Sequence, residues 1–274
     1  MRDGVELLIG HSPDPDDAFM FYALKRGLVR APFSVREFLA DIETLNRLAI
    51  HGRLDVTAVS AHVMPYVGDK YYVLRVGASM GYGYGPVLVG AGASAAHDVG
   101  LVAVPGRYAT ATLLLQLAMP GVRTVEVPFD RIMDAVASGA VDAGLLIHEG
   151  QITYARSGFR RIMDLGEWWS DSTGLPVPLG LDAVKSSLGA EAAAAVKDAL
   201  VNSLRYAREH PEDALRHASE FSRGLDMDDV SRFVDMYVNE YTIDMGELGE
   251  RAVRELLRVA AEAKLVPESH VEFI

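Results

Sequence analysis

The chain has 274 residues, 50% of them hydrophobic and 23% charged, with a formal net charge of −12 at pH 7. That composition is globular and the length suffices to bury a real core, while the acidic balance repels polyanions and excludes nucleic-acid binding as the main task. With no cysteine, disulfides, thiolate metal sites, iron–sulfur ligation and cysteine nucleophiles are excluded together.

The first ten residues have an acidic flank and a short apolar run. A secretory leader needs a basic start, a longer apolar run and a small-residue cleavage site, so a cytoplasmic location is expected. No stretch approaches the ~18 apolar residues that span a bilayer, and no membrane span is expected. The first strand, Val5–Gly10, leads into His11-Ser-Pro-Asp-Pro-Asp-Asp-Ala-Phe-Met20. Asp14 suits the N-cap of a helix Pro15–Arg26, Pro15 its first position, and Asp17 a box-like cap. Three carboxylates also suit the positive end of a helix dipole. A magnesium site is the sharper reading of Asp-x-Asp, but Ser12 and Pro13 separate the acids from the strand, and no metal is expected.

Strand Ser34–Leu39 and helix Ile42–His51 come next, then strands Asp55–Ser60, Tyr72–Gly77, Val87–Ala91 and Leu101–Val104. Helices Ala109–Ala118 and Arg131–Ser138 flank strand Thr124–Pro128, and strand Ala143–His148 follows. Apolar runs alternating with helical periodicity predict a parallel α/β sheet. One internal echo refines it. Helix, Gly52, any residue, Leu54, Asp55, strand is matched by helix, Gly139, any residue, Val141, Asp142, strand. Each glycine ends a helix where positive φ is needed, and the strands deliver Ser60 and His148 to their carboxyl ends. Ligands bind beyond the carboxyl ends of strands in open α/β sheets, so two such units predict two similar lobes sharing a cleft.

Three further segments bear on that cleft. In Gly81-Tyr-Gly-Tyr-Gly-Pro86 the glycine spacing is wrong for a dinucleotide loop; Gly83 and Gly85 either let backbone approach a ligand or form an inter-lobe hinge. The helix start at Tyr108–Thr110 offers free N–H groups to an anion. Trp168 and Trp169, with residues 171–180, suit either a cleft wall and lobe-crossing strand or plain core packing. His148 has no metal-ligand spacing with other histidines, and no Gly-x-Ser-x-Gly elbow is present. From Gly189 onward the pattern is helical: Glu191–Glu209, Pro211–Phe221, Met227–Tyr237 and Glu247–Ala263.

These segments together resemble the 1,4-dihydroxy-6-naphthoate synthase family of the futalosine route to menaquinone. The marks are Ser12 and Pro13 with Asp17 and Phe19, Asp41-Ile-Glu-Thr-Leu-Asn46, Gly83 and Gly85 before Pro86, and Val104-Pro-Gly-Arg107 with Thr110 and Ala111. Others are Leu146-Ile-His-Glu149, Asp164-Leu-Gly-Glu-Trp-Trp169, Thr173-Gly-Leu-Pro-Val-Pro-Leu-Gly180, Tyr237-Val-Asn239 and Gly249-Glu-Arg-Ala252. The resemblance implies an α/β, two-lobed fold like type II periplasmic binding proteins, with a ligand cleft between the lobes. The larger lobe is expected to comprise residues 1–90 and 182–274, the smaller 91–181. It implies a carbon–carbon lyase that splits cyclic dehypoxanthinyl futalosine into 1,4-dihydroxy-6-naphthoate and a sugar-derived fragment, with no cofactor. A histidine matching His148 is the base, and residues matching Asn46, Ser60, Thr110 and Ala111 line the pocket. Ser12, Asp17, Gly83 and Gly85 are taken as further substrate contacts. The expected partner is that small molecule, and a homodimer is left open.

One loop departs from the family, whose first turn usually reads Ser-Pro-Cys-Pro-Asn-Asp-Thr-Phe. Here Asp14, Asp16 and Ala18 replace a thiol, an amide and a hydroxyl. The alternatives are a solute-binding-like protein, the related chorismate dehydratase, or a paralogous lyase acting on a different small polar carboxylate.

Overall fold

Two segments of the chain repeat one pattern of strand, helix, strand, helix, strand. The first is β1 (Glu6–His11), α1 (Pro15–Lys25), β2 (Ser34–Leu39), α2 (Ile42–Ile50) and β3 (Val56–Ser60). After α3 (Met64–Val67), β4 (Tyr71–Val73), β5 (Ser79–Gly81) and β6 (Val87–Gly90), it recurs as β7 (Leu101–Val104), α4 (Thr110–Ala118), β8 (Arg123–Glu126), α5 (Ile132–Ala137) and β9 (Ala143–Leu146). A computed structural model describes residues 5–92 and 99–274 of the chain; Met1–Gly4, part of the N-terminal reading, lie outside the described residues.

The repeats pair identically. β1 lies between β2 and β3, parallel to both, and β7 lies between β8 and β9, parallel to both. Gly52 and Gly139 end their helices at φ 63° and 72°, where a β-carbon would clash with the backbone. Asp55 and Asp142 have matching tasks. Asp55 Oδ2 accepts the Leu8 N–H at 2.9 Å, and Asp142 Oδ2 accepts those of Gly100 and Leu101 at 3.0 and 2.8 Å. Each carboxylate therefore ties the start of its strand to the parallel neighbour.

The sequence pattern predicts a wholly parallel sheet, and both sheets are instead mixed. The first runs β2-β1-β3-β11-β4, with β5 also on β11 (Val177–Lys185). The second runs β10-β6-β9-β7-β8, with β10 spanning Arg160–Asp164. β11 is antiparallel to β3, and β6 to β9. The reason is the route of the chain. It leaves the first sheet through residues 82–86 and returns through 174–176, between β5 and β6 and before β11.

α6 (Gly150–Thr153) and α7 (Leu165–Thr173) complete the second lobe. Asp164 caps α7, accepting the N–H groups of Gly166 and Glu167. The predicted C-terminal helices appear as α8 (Ala190–Glu209), α9 (Pro211–Ser219) and α10 (Met227–Tyr237), then α11 (Glu240–Ile243) and α12 (Gly246–Glu262). The apolar faces of α8 to α10 bury Val196, Leu200, Leu204, Val230 and Val234 against Leu7, Ile9 and the α1 residues Phe19 and Phe21. Each such side chain contributes about 1.5–3 kcal/mol when fully buried. This clamp fixes α1, and with it the loop that opens the cleft. A second core runs from Val59 and Met64 of the first lobe to Leu88, Val102 and Leu113 of the second, so the lobes are packed together. Trp169 lies in that core, 1% exposed, with its indole N–H donating to the Pro176 carbonyl at 3.1 Å. Among the described residues no helix is long and apolar enough to cross a membrane.

Candidate active site

Between the sheets lies a cleft whose empty space, with its open mouth counted, is about 730 Å³. Its wall includes Ser12, Asp16 and Asp17 from the start of α1, Ser60 at the end of β3, and Ala109 to Ala111 at the start of α4. His148 and Gln151 from beyond β9, Asp182 on β11 and Tyr237 at the end of α10 complete the polar lining.

Ser60 is held in ordinary extended backbone, at φ −66° and ψ 141°. Asn46 fixes it twice: its Oδ1 accepts the Ser60 N–H at 2.8 Å, and its Nδ2 donates to Ser60 Oγ at 3.0 Å. Because Oγ already accepts from the amide, the Ser60 hydroxyl is left to donate into the cleft. Asn46 itself is fully buried and does not reach the wall. Its two hydrogen bonds orient the Ser60 side chain and backbone.

His148 sits differently. β9 ends at Leu146, and His148 lies two residues beyond with φ 54°. A non-glycine residue in the left-handed region costs about 1–2 kcal/mol, and such residues cluster at functional sites. Its side chain is 17% exposed, with Nδ1 at 3.4 Å from Asp14 Oδ2. The Phe129 ring meets it edge-on, centroids 5.1 Å apart.

Asp14 holds the N-cap position of α1, but its side chain makes no cap hydrogen bond. It turns instead to Arg223, accepting from Nη1 at 2.6 Å. Burial opposes its ionisation, yet the charges of His148 and Arg223 and hydrogen bonds outweigh that and hold its carboxyl below the usual range. Asp17 does not complete a capping box either. Its Oδ2 accepts the Ser12 N–H at 2.7 Å, closing the loop, and burial raises its carboxyl. The three acids thus face different partners, and among the described residues no set of three His, Cys, Asp or Glu converges as a metal site requires.

Two acids on the wall have an oxygen without any partner. Asp16 Oδ1 and Asp182 Oδ2 are buried and accept no hydrogen bond among the described residues. Burial pushes both carboxyls well above the usual range, with Asp17 and Asp14 adding to it at Asp16 and Asp17 at Asp182. Both are therefore neutral acids over more of the pH range than a free carboxyl, able to donate as well as accept. The buried Tyr237 hydroxyl likewise has no hydrogen-bond partner in this geometry, and burial pushes it well above the usual phenol range. Asp16, Asp182, Tyr237 and Gln151 are not among the sequence candidates. Asp182 carries a readable signal, a lone acid inside the apolar strand Val177–Lys185.

Thr110 lines the cleft, but its hydroxyl donates to the Leu179 carbonyl at 2.7 Å and accepts the His62 N–H at 3.3 Å. Its side chain joins the lobes. What faces a ligand there is the helix start, where Thr112 and Leu113 already donate to the Ala109 carbonyl and the N–H groups of Thr110 and Ala111 head α4. Gly83 and Gly85 are not among the residues of the cleft wall, which fits the hinge alternative of the sequence reading. Gly83 donates to Ser170 Oγ, and a β-carbon at Gly85 would come within 2.7 Å of the Gly166 backbone nitrogen. The glycine loop serves the inter-lobe crossing, and only Pro86 touches the cleft. Ser12 and Asp17 do lie on the wall.

Comparison with known proteins bears on this site as a whole. The family model described as menaquinone biosynthesis matches residues 7–262. A Thermus thermophilus protein named 1,4-dihydroxy-6-naphthoate synthase is 44% identical over 258 residues, covering 94% of each chain. A crystal structure of an Archaeoglobus fulgidus protein superposes with TM-score 0.92 at 46% identity, covering 95% of this chain and 98% of that one. The alkanesulfonate-binding protein of Xanthomonas axonopodis superposes with TM-score 0.72 at 13% identity, over 98% of this chain and 96% of that one. That last likeness is one of fold, the two-lobed architecture of periplasmic binding proteins.

Proposed function

The chain belongs to the menaquinone-biosynthesis family, and we propose that His148 is the base that opens its reaction. Its relatives are named for forming 1,4-dihydroxy-6-naphthoate, and in our reading this chain does so as a carbon–carbon lyase acting on cyclic dehypoxanthinyl futalosine. We assign the reaction to the cytoplasm and its substrate to the cleft between the lobes.

The roles follow from placement. A neutral imidazole takes the proton of a substrate hydroxyl; the oxygen then forms a carbonyl as the adjacent carbon–carbon bond breaks in a retro-aldol sense. Aromatisation of the bicyclic fragment drives the cleavage. Negative charge arising at the departing carbon or its conjugated oxygen is met by the Thr110 and Ala111 N–H groups, while the Ser60 hydroxyl holds a substrate oxygen equally in the bound and reacting states. Asp16, Asp182 and Tyr237 supply polar atoms without protein partners for the hydroxyls of the sugar portion. The packed lobes exclude water and fix the reacting bonds.

The observation that carries the assignment is His148 itself, held on left-handed backbone at the wall of the cleft. The test is to incubate the purified chain with cyclic dehypoxanthinyl futalosine and follow the naphthoate by absorbance and mass. Product is expected. A folded protein that yields none acts on a different ligand in the same cleft.

A further inference from the structure

Asp14 is 1% exposed and makes no helix cap, so its carboxylate has some other task. Oδ1 accepts from Arg223 Nη1 at 2.6 Å, Oδ2 lies 3.4 Å from His148 Nδ1, and the Ser12 side chain also donates to the carboxylate. Arg223 also reaches both Glu149 carboxylate oxygens at 3.2 Å and the Pro13 carbonyl at 3.3 Å. Its own backbone is left-handed, at φ 48°. Phe129 joins the group, its ring 4.7 Å from the Arg223 guanidinium and edge-on to the imidazole.

We propose that Asp14 is the positioning residue of His148, fixing the proton on Nδ1 so that Nε2 is the basic nitrogen, with Arg223 holding Asp14 in place. This rests on His148 being the base. The geometry carries it in three ways. Nδ1 faces Asp14 Oδ2 at an ion-pair distance of 3.4 Å, and it can bond that oxygen only as a donor, because an ionised carboxylate only accepts. The group of Asp14, Glu149 and Arg223 has net charge −1, so a proton taken up by the imidazole neutralises it. Burial of Asp14 keeps solvent from screening that attraction. The arrangement also crosses the cleft. Asp14 and Arg223 come from segments of the first lobe, and His148, Glu149 and Phe129 from the second. The imidazole therefore has its partner only while the lobes are together.

The titratable and charged groups that share the cleft or its ion pairs with the imidazole are Asp14, Asp16 and Asp17 at the start of α1, Glu149 on its own segment, Asp182 on β11, Arg223 before α10 and Tyr237 at the end of α10. Asp14 and Arg223 act on a protonated imidazole with opposite signs, and that makes the test specific. Steady-state turnover of cyclic dehypoxanthinyl futalosine is measured against pH for the full chain, Asp14→Asn and Arg223→Gln. Thermal midpoints verify folding. Asp14→Asn is expected to lower kcat at least tenfold with KM within about threefold, and to move the acid limb of kcat to lower pH. Arg223→Gln is expected to move that limb to higher pH. A merely structural role would lower activity in both without opposite displacements. Asp14→Glu is expected to recover part of the kcat lost in Asp14→Asn. The protein without substrate, labelled with 15N-histidine, is expected to show the Nδ1–H tautomer at His148 and to lose it in Asp14→Asn. An unmoved limb in both variants, displacement in the same direction, or a tautomer unchanged in Asp14→Asn overturns the proposal. If His148→Ala retains turnover, the base assignment fails, and the tautomer measurement still decides what Asp14 does.

Discussion

The two repeated units use one scaffold to different ends. In the first, Asp55 ties β3 to β1, the strand closes on Ser60 in relaxed extended backbone, and Asn46 meets Ser60 through two hydrogen bonds. In the second, Asp142 ties β9 to β7 in the same way, but the chain runs on two residues to a left-handed His148 that faces a carboxylate of the other lobe. Strand order, helix-ending glycine and opening aspartate are the same in both; the difference lies at and beyond the strand end and in the helix residue that meets it. One unit ends in a fixed hydrogen-bond donor. The other ends in a strained, titratable group whose partner lies across the cleft. On the proposed assignment, the duplicated scaffold separates binding from chemistry: the common parts provide rigidity and the strand ends carry the proposed function.

The largest expected effect comes from breaking the second unit's end. His148→Ala is expected to lower kcat by about 10²–10⁴-fold, the usual share of a positioned base, with KM nearly unchanged. The same truncation in the first unit, Ser60→Ala, is expected to raise KM by roughly tenfold, the worth of one hydrogen bond of about 1.4 kcal/mol, with kcat within a few-fold. Steady-state kinetics of the two variants side by side check the asymmetry. If Ser60→Ala loses kcat as steeply as His148→Ala, binding and chemistry are not separated.

The shared scaffold gives a smaller and symmetrical prediction. Gly52→Ala and Gly139→Ala each force a β-carbon into left-handed backbone and are expected to destabilise the fold by about 1–2 kcal/mol. Chemical denaturation measures both. Similar losses sharpen the equivalence, and a loss in one alone breaks it.

The strands beside β3 and β9 differ in one residue type that matters. β11 carries the buried Asp182 among apolar neighbours, whereas β6 is Val87-Leu-Val-Gly90 with no acid. Burial raises the Asp182 carboxyl, and the charge of Asp17 adds to the effect. The folded state therefore keeps this proton at pH values where the unfolded chain has released it. Stability falls as pH rises above the unfolded carboxyl value near 4. Asp182→Asn removes that dependence. Its thermal midpoint is expected to match the parent's near pH 4 and to exceed it by about 2–4 °C, the effect of roughly 1 kcal/mol, at pH 8. A gain that is largest at low pH contradicts the assignment.

Much of this is legible in the sequence because it is local. Gly-x-[LV]-Asp marks a helix end and a strand start within four residues, so both repeats and the strand ends at Ser60 and His148 can be read from the chain alone. β10 escapes prediction because its pairing depends on a chain that crosses between the sheets. Residues 171–180 read as a cleft wall or a lobe-crossing strand, and β11 begins within them at Val177 and runs antiparallel to β3. Asp14 reads as a cap because Asp before Pro at a helix start has that local meaning. Arg223, 209 residues further on, redirects it. The glycines at 83 and 85 read as cleft-facing from composition, but the close approach that Gly85 permits is to Gly166, which only the folded chain brings near. Asn46 and Ser60 lie 14 residues apart, and their mutual hydrogen bonds show that a pocket motif can include the residue that positions a contact as well as the contact.

The central claim is that His148 does the chemistry while the rest of the cleft holds the substrate. It is tested most directly by mixing His148→Gln with cyclic dehypoxanthinyl futalosine, measuring affinity by calorimetry and the bound species by mass. The account predicts binding within about threefold of the wild-type Michaelis constant and intact substrate in the complex for hours. Conversion to 1,4-dihydroxy-6-naphthoate at the wild-type rate would contradict it.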